Sequence, residues 1–292
     1  MTAHAAVPVR HGLLSISSAA VAWGAGGAVA ALLMGTAGLG PVAVCAWRFA
    51  VAAGCLALLP AVRGRARPGA VPRRAAVLTG LGLAVSQCAY FASVRYAGLG
   101  LGTLVTIGAG PVLTGLGAHL LLGERLTGRA VAADLLALTG LALLVAGPVT
   151  GPHPVAGVAL AVLAGAGQSG LTLWARAGGT ARASAGAFTT GLLCLLPLAL
   201  TLEGGVLPSG GAPLPTAGAL LFLGTVPTLL AYRWYFAGLA TVPGATAAVL
   251  VLLEPATAAV LGAACFGEPL TPALLAGSAL LLTAIAALAR RA

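Results

Sequence analysis

The sequence predicts an all-α polytopic membrane protein, with ten transmembrane helices built as two inverted five-helix repeats. Three observations carry that expectation. Only 7% of the 292 residues are charged and 60% are hydrophobic, for a mean hydropathy of +1.06. Soluble chains devote roughly 25% of their residues to charge to cover a water-facing surface. Apolar runs of about 20 residues, the length that crosses a bilayer core, recur along the whole chain. A short motif also returns at long range: Gly123-Glu124-Arg125-Leu126-Thr127 reappears 144 residues later as Gly267-Glu268-Pro269-Leu270-Thr271.

The remaining composition fits lipid as the solvent. The 43 glycines and abundant alanines let helix backbones approach closely, where Leu against Leu gains little over Leu against lipid. The net charge of +10 comes from arginine alone, since the chain has no lysine. In a soluble protein such an excess would suggest nucleic acid. Here the arginines lie mainly between apolar runs, which makes them topology signals and argues against a nucleic acid partner. The Arg- and Ala-rich, Lys-free composition fits GC-rich codons and a bacterial source.

Apolar windows bounded by Gly, Pro or Arg define the spans at about 13–34, 41–61, 75–95, 100–122 and 130–147, then about 155–176, 184–202, 216–238, 244–266 and 271–289. The first follows Arg10 as a signal peptide would, but its apolar run is span-length and nine more follow, so it reads as a retained helix. The links 62–74 and 203–215 are rich in Gly and Pro and too short to fold alone. With the N-terminus inside, Arg10, Arg63, Arg65, Arg67, Arg73, Arg74, Arg125, Arg129, Arg176, Arg182, Arg290 and Arg291 all face the cytoplasm, and only Arg95 faces out. That asymmetry places both termini in the cytoplasm of a cell, or bacterial inner, membrane.

The repeat divides the chain into residues 1–150 and 151–292. Pro111 lies 13 residues before Glu124, and Pro255 lies 13 residues before Glu268. Leu58-Leu59-Pro60 is echoed by Leu195-Leu196-Pro197, and Tyr96-Ala97-Gly98-Leu99 by Phe236-Ala237-Gly238-Leu239, four residues out of the 144-residue register. Five spans per half is odd, so the second copy enters the membrane in the opposite direction. Inverted repeats of this kind are a carrier signature, because equivalent halves can exchange conformations around a midplane site.

These residues resemble the EamA family of the drug/metabolite transporter superfamily. The resemblance rests on Trp23-Gly24, on Trp47-Arg48-Phe49, on Pro111 followed by Gly-Glu-Arg-Leu-Thr, and on Glu254-Pro255 followed by Gly-Glu-Pro-Leu-Thr. It extends over roughly residues 15–289. It implies ten helices around a central cavity, secondary active or facilitated transport, and export as the favoured direction. It leaves the substrate open, since relatives carry amino acids and other metabolites. No nucleotide-binding motif suggests ATP use, and no cofactor is expected.

Ionisable groups inside spans cost at least about 2.5–3.5 kcal/mol each on insertion, which makes them functional candidates. Glu254 is the deepest, and Pro255 beside it should kink its helix and free carbonyls. A carboxylate there suits a substrate amine or a coupling proton; it suits equally a structural bond to an arginine. Arg48 lies about 12 Å below the outer face at 1.5 Å per residue. It either contacts substrate or bonds backbone carbonyls as a fold determinant. Together the two suit the carboxylate and amine of a zwitterion, or pair with each other. Arg233, between Tyr232 and Trp234, reads as an interfacial anchor or a pathway residue. Asp134 and His119 lie near the cytoplasmic face, where a proton relay is conceivable. Glu124 and Glu268 read as residues that hold loop geometry.

Gln87, Tyr90, Gln168 and Trp174 lie within spans three and six and serve either as interhelical glue or as pathway lining. Trp23, deep in span one, is a cavity wall or core packing. Pro111 marks a second kink. The five cysteines, Cys45, Cys55, Cys88, Cys194 and Cys265, lie in apolar runs without CxxC or Cys/His spacing. They read as packing residues, and no metal site is expected.

A membrane-embedded enzyme would concentrate acids, His or metal ligands at one face. The five acids and four histidines form no His-Glu-x-x-His or Asp-Asp-x-x-Asp set, and no Gly-x-Ser-x-Gly elbow occurs. A channel would show a selectivity-filter run or a ring of charge. The expectation is therefore a carrier rather than an enzyme, with a small amphipathic or zwitterionic substrate and protons as the coupling ion. Its remaining partner is the lipid bilayer, and a homodimer is an admissible assembly.

Overall fold

The computed structural model describes residues 9–62, 71–97, 99–125, 127–144, 152–177, 183–266 and 272–289. Within them the regular structure is helical throughout. The first part of the chain forms α1 (Val9–Ala37), α2 (Pro41–Val62), α3 (Arg73–Ala97), α4 (Leu99–Leu122) and α5 (Gly128–Leu144). The second forms α6 (Pro154–Arg176), α7 (Ala185–Leu202), α8 (Pro213–Gly224), a π-helical turn (Thr225–Leu230), α9 (Ala231–Gly238), α10 (Gly244–Val251), α11 (Leu253–Phe266) and α12 (Pro272–Ala289). Seven of the described helical segments are long and apolar enough to cross a bilayer, taking α8 to α9 as one. Val131–Leu143, Gly244–Ala258 and Leu275–Ala284 are shorter apolar stretches. The chain is thus a multi-pass membrane protein.

The windows expected at 216–238 and 244–266 as single helices are each interrupted, and proline accounts for both interruptions. Pro227 lacks the N–H that would bond the Leu223 carbonyl four residues back. The backbone widens there into a π turn, and the Thr228 hydroxyl donates to the orphaned Leu223 oxygen at 2.7 Å. Pro255 in the same way leaves Val251 without its helical donor, and α10 ends at that residue. Leu252 closes the turn with a 3₁₀-type bond to Val249 O at 3.0 Å, and α11 starts afresh. Pro111, by contrast, lies buried within α4, which stays helical across it.

The helices pack in a reciprocal pattern. α1 lies against α9 and α11, and α6 lies against α3 and α4; α2 packs on α7, and α5 on α12. Small residues permit the close crossings: a Cβ on Gly140 of α5 would come within 2.7 Å of the Gly277 carbonyl oxygen of α12. Outward-facing side chains such as Leu120, Leu121, Leu135, Val155 and Leu193 are exposed, as a lipid-facing surface requires. The main apolar cluster runs through α1, α2, α7, α8 and α9 around Phe49, Phe188 and Tyr235. A smaller one joins α5, α10, α11 and α12 around Leu141, Val249 and Leu281.

Candidate functional site

The polar side chains inside the bundle gather around Arg48 and Glu254. Arg48 of α2 is half-buried, and its Nε donates to Thr228 Oγ1 at 3.0 Å. Thr228 is the residue that repairs the Pro227 break, so one hydroxyl satisfies the Leu223 carbonyl and orients the guanidinium. One turn earlier on α2, Cys45 accepts a long contact from Arg48 Nη1 (3.9 Å) and donates from Sγ to Gln87 Oε1 of α3 (3.3 Å). Reading all the cysteines as apolar packing therefore needs correction for Cys45. It is buried, but it bridges two polar groups, and a thiol can do so because sulfur is a weak donor and acceptor.

Glu254 sits in the first turn of α11, directly after the break, where the unpaired N–H groups of a helix start favour negative charge. It is half-buried, and Arg48 is near enough for its charge to act on the carboxylate. The two nevertheless form no ion pair within 4.0 Å, and among the described residues Glu254 makes no hydrogen bond. Behind it the α1 backbone is in contact: a Cβ on Gly24 would lie 2.5 Å from the Glu254 carbonyl oxygen. Gly24 thus fixes how closely α1 approaches the start of α11.

Aromatic groups complete the cluster. Trp23 of α1 is 8% exposed, with its ring 5.2 Å from Tyr232 and 5.3 Å from Tyr235 of α9. Its indole N–H is buried and finds no hydrogen-bond partner among the described residues. The Tyr235 hydroxyl meets Thr172 Oγ1 of α6 and lies in reach of Gln168. The Tyr90 hydroxyl of α3 meets Thr103 Oγ1 of α4 at 3.1 Å, and the Glu254 charge acts on both Tyr90 and Tyr232. Six residues singled out from sequence, Trp23, Arg48, Gln87, Tyr90, Gln168 and Glu254, therefore belong to one cluster drawn from both parts of the chain.

The other candidates lie elsewhere. Trp174 is half-buried against the apolar core. Arg233 is exposed beside the exposed Trp234, outside the cluster. Asp134 of α5 is half-buried, with Oδ1 unbonded among the described residues, while His119 Nδ1 lies 2.9 Å from the Glu124 carbonyl oxygen. Glu268 falls outside the described residues. Thr228 and Tyr235 were not marked as site residues by the sequence, while Tyr232 entered only as the neighbour of Arg233 and Cys45 only as a packing residue. Pro227 in mid-span was the visible signal for Thr228, whereas nothing in the sequence marks Cys45.

A multi-pass helical bundle that holds two charged side chains among its helices fits a membrane transport protein. The chain belongs to the EamA-like transporter family, which matches residues 10–146 and again residues 155–290, and so to the drug/metabolite transporter superfamily. It is 33% identical over 205 residues to the uncharacterized transporter YwfM of Bacillus subtilis, covering 68% of each chain. It is 37% identical over 240 residues to the uncharacterized protein PA1977 of Pseudomonas aeruginosa, covering 78% of this chain and 80% of that one. A solved crystal structure shares the fold with a TM-score of 0.79 at 22% identity, covering 96% of this chain and 99% of the other.

Proposed function

We propose that the protein is a secondary transporter, not an enzyme, that exports small zwitterionic or amphipathic metabolites by alternating access. In this reading ten spans form two inverted five-helix repeats, residues 1–150 and 151–292, with both termini in the cytoplasm of the cell membrane. The reciprocal packing of α1 on α9 and α11, and of α6 on α3 and α4, supports that arrangement, as does the double family match. The observation that carries the function is the state of Arg48 and Glu254: two half-buried charges inside the bundle that, among the described residues, form no ion pair. An ammonium group suits Glu254, and a carboxylate suits the guanidinium nitrogen that Thr228 and Cys45 leave free. Protons serve as the coupling ion, with Glu254 as their carrier when substrate is absent.

The test is accumulation of radiolabelled amino acids and cationic dyes in proteoliposomes, with and without a proton gradient, beside a Glu254→Gln variant. Gradient-dependent movement of one compound, abolished in the variant, is the expected result. Movement that survives the substitution would remove Glu254 from the mechanism. Equal movement of every compound down its gradient, with no saturation, would indicate a channel instead.

A further inference from the structure

Two carboxylates outside the central cluster bind the parts of the chain to each other at opposite ends of the bundle. Glu124 follows α4 in a turn that Gly123 permits with φ +68°. Its Oε1 accepts from Arg176 Nη2 at 2.6 Å and Nε at 3.1 Å, and its Oε2 accepts from the Gly244 N–H at 3.2 Å. Arg176 Nη1 in turn donates to Leu239 O at 2.9 Å. One acid from the first part of the chain thus holds the end of α6 directly, the end of α9 through Arg176, and the start of α10.

The other end shows the reciprocal arrangement. Glu203, at the end of α7, belongs to the second part of the chain. Its Oε1 and Oε2 accept the N–H groups of Val42 and Ala43 at 2.8 Å each, in the first turn of α2. Trp47 Nε1 donates to Val206 O at 2.6 Å, and the Ser209 N–H to Ala37 O at 2.9 Å, across the same seam. The 18 residues of α7, about 27 Å at 1.5 Å each, separate this seam from the end that holds Arg176.

Both contacts are charge-assisted, the stronger class of hydrogen bond. Both stay within reach of water: the Arg176 and Glu124 side chains are 20% and 22% exposed, and Glu203 is half-buried. A fully buried pair would be far costlier to break. We infer that Glu124 with Arg176, and Glu203 with the start of α2, are the two gate latches of the transport cycle. Each holds its own end shut while the other opens. This rests on the alternating-access reading above.

Cys45, buried among the central groups, is the reporter. In a form whose Cys55, Cys88, Cys194 and Cys265 are alanine, its labelling by a membrane-impermeant maleimide is measured in right-side-out and inside-out vesicles. Glu124→Gln and Arg176→Gln should each raise labelling about fivefold, the worth of a partly exposed ion pair, from one face only. Glu203→Gln should raise it from the opposite face only. Variants that open the same face, or that leave labelling unchanged while transport continues, overturn the latch assignment. Substrate flux that rises linearly with concentration and never saturates, before any latch is altered, overturns alternating access itself. Should Glu124→Gln fail to fold, a Glu124→Cys, Arg176→Cys pair joined by a cleavable bis-maleimide takes its place: transport must stop on cross-linking and return on cleavage, and transport that persists through cross-linking refutes the latch.

Discussion

Replacing Gly24 with alanine should weaken fold and function together, while the same change at Gly27, one turn away on α1, should do neither. A Cβ at position 24 meets the Glu254 carbonyl oxygen at 2.5 Å and Thr257 Cβ at 2.7 Å. Neither can swing aside, because one is backbone and the other is fixed to it, so α1 and α11 must part. Overpacking of this kind costs roughly 1–3 kcal/mol. At Gly27 no heavy atom lies within 4 Å and the position is exposed, so only backbone entropy acts. Alanine there gains roughly 0.5–1 kcal/mol in helix stability. The same gain offsets part of the cost at Gly24, which leaves a difference between the variants of about 1–3 kcal/mol. Thermal unfolding of the two purified variants in one detergent measures it, and uptake in proteoliposomes follows the displacement of Glu254. Gly24→Ala should unfold earlier and transport less, with Gly27→Ala equal to or above the parent. Indistinguishable midpoints would refute the claim that Gly24 sets the α1–α11 approach.

Thr228→Val removes the acceptor of Arg48 Nε and the donor to Leu223 O; substrate KM should rise about tenfold, in line with the roughly 1–1.5 kcal/mol of a lost hydrogen bond, and Thr228→Ser should restore it. Glu203→Gln should lower the unfolding midpoint by an amount equivalent to about 1 kcal/mol, because it discharges the acceptor at the α2 start; the thermal scan reads it. Arg233→Gln should leave uptake unchanged, since its side chain is exposed outside the cluster; a loss of more than half the rate would return Arg233 to the pathway.

The helical, membrane-spanning character was legible because it is compositional, and the span edges follow Gly, Pro and Arg closely enough to land near the helix ends. The broken spans were half legible. Glu254-Pro255 pointed to the second break, but Pro227 lay inside an apolar run whose hydropathy it barely changes. Arg48 and Glu254 stood out because a charge in an apolar run is costly wherever its partner lies. Their surroundings did not stand out. The Arg48–Thr228 bond joins residues 180 positions apart, and Glu203 binds backbone 161 and 160 positions away. Backbone acceptors and donors carry no residue-type signal, and a thiol or threonine in a helix looks the same whether it bridges polar groups or fills space. Helix crossings decide such contacts, and periodicity in one helix says nothing of its crossing partners.

The two proline breaks and the two half-buried charges are linked by one economy of backbone chemistry. A span interrupted by proline exposes a carbonyl with no donor, a cost of about 1–3 kcal/mol if left unmet. At Pro227 the deficit is met by Thr228, and the oxygen that meets it also accepts from Arg48, so the break orients a cation. At Pro255 a new helix begins, and Glu254 stands in its first turn, at the positive end of the helix dipole. Each break therefore favours the charge set against it: an acceptor for the guanidinium, a positive helix end for the carboxylate. A purely structural role for these charges would have them neutralise each other, since an ionised group left unpaired inside a span recovers little of its desolvation cost. They do not meet within 4.0 Å. A Glu254→Gln, Arg48→Gln double variant separates the possibilities. If the charges only lock helices, it should lose stability; if they await a ligand, it should unfold at or above the parent midpoint while transport disappears.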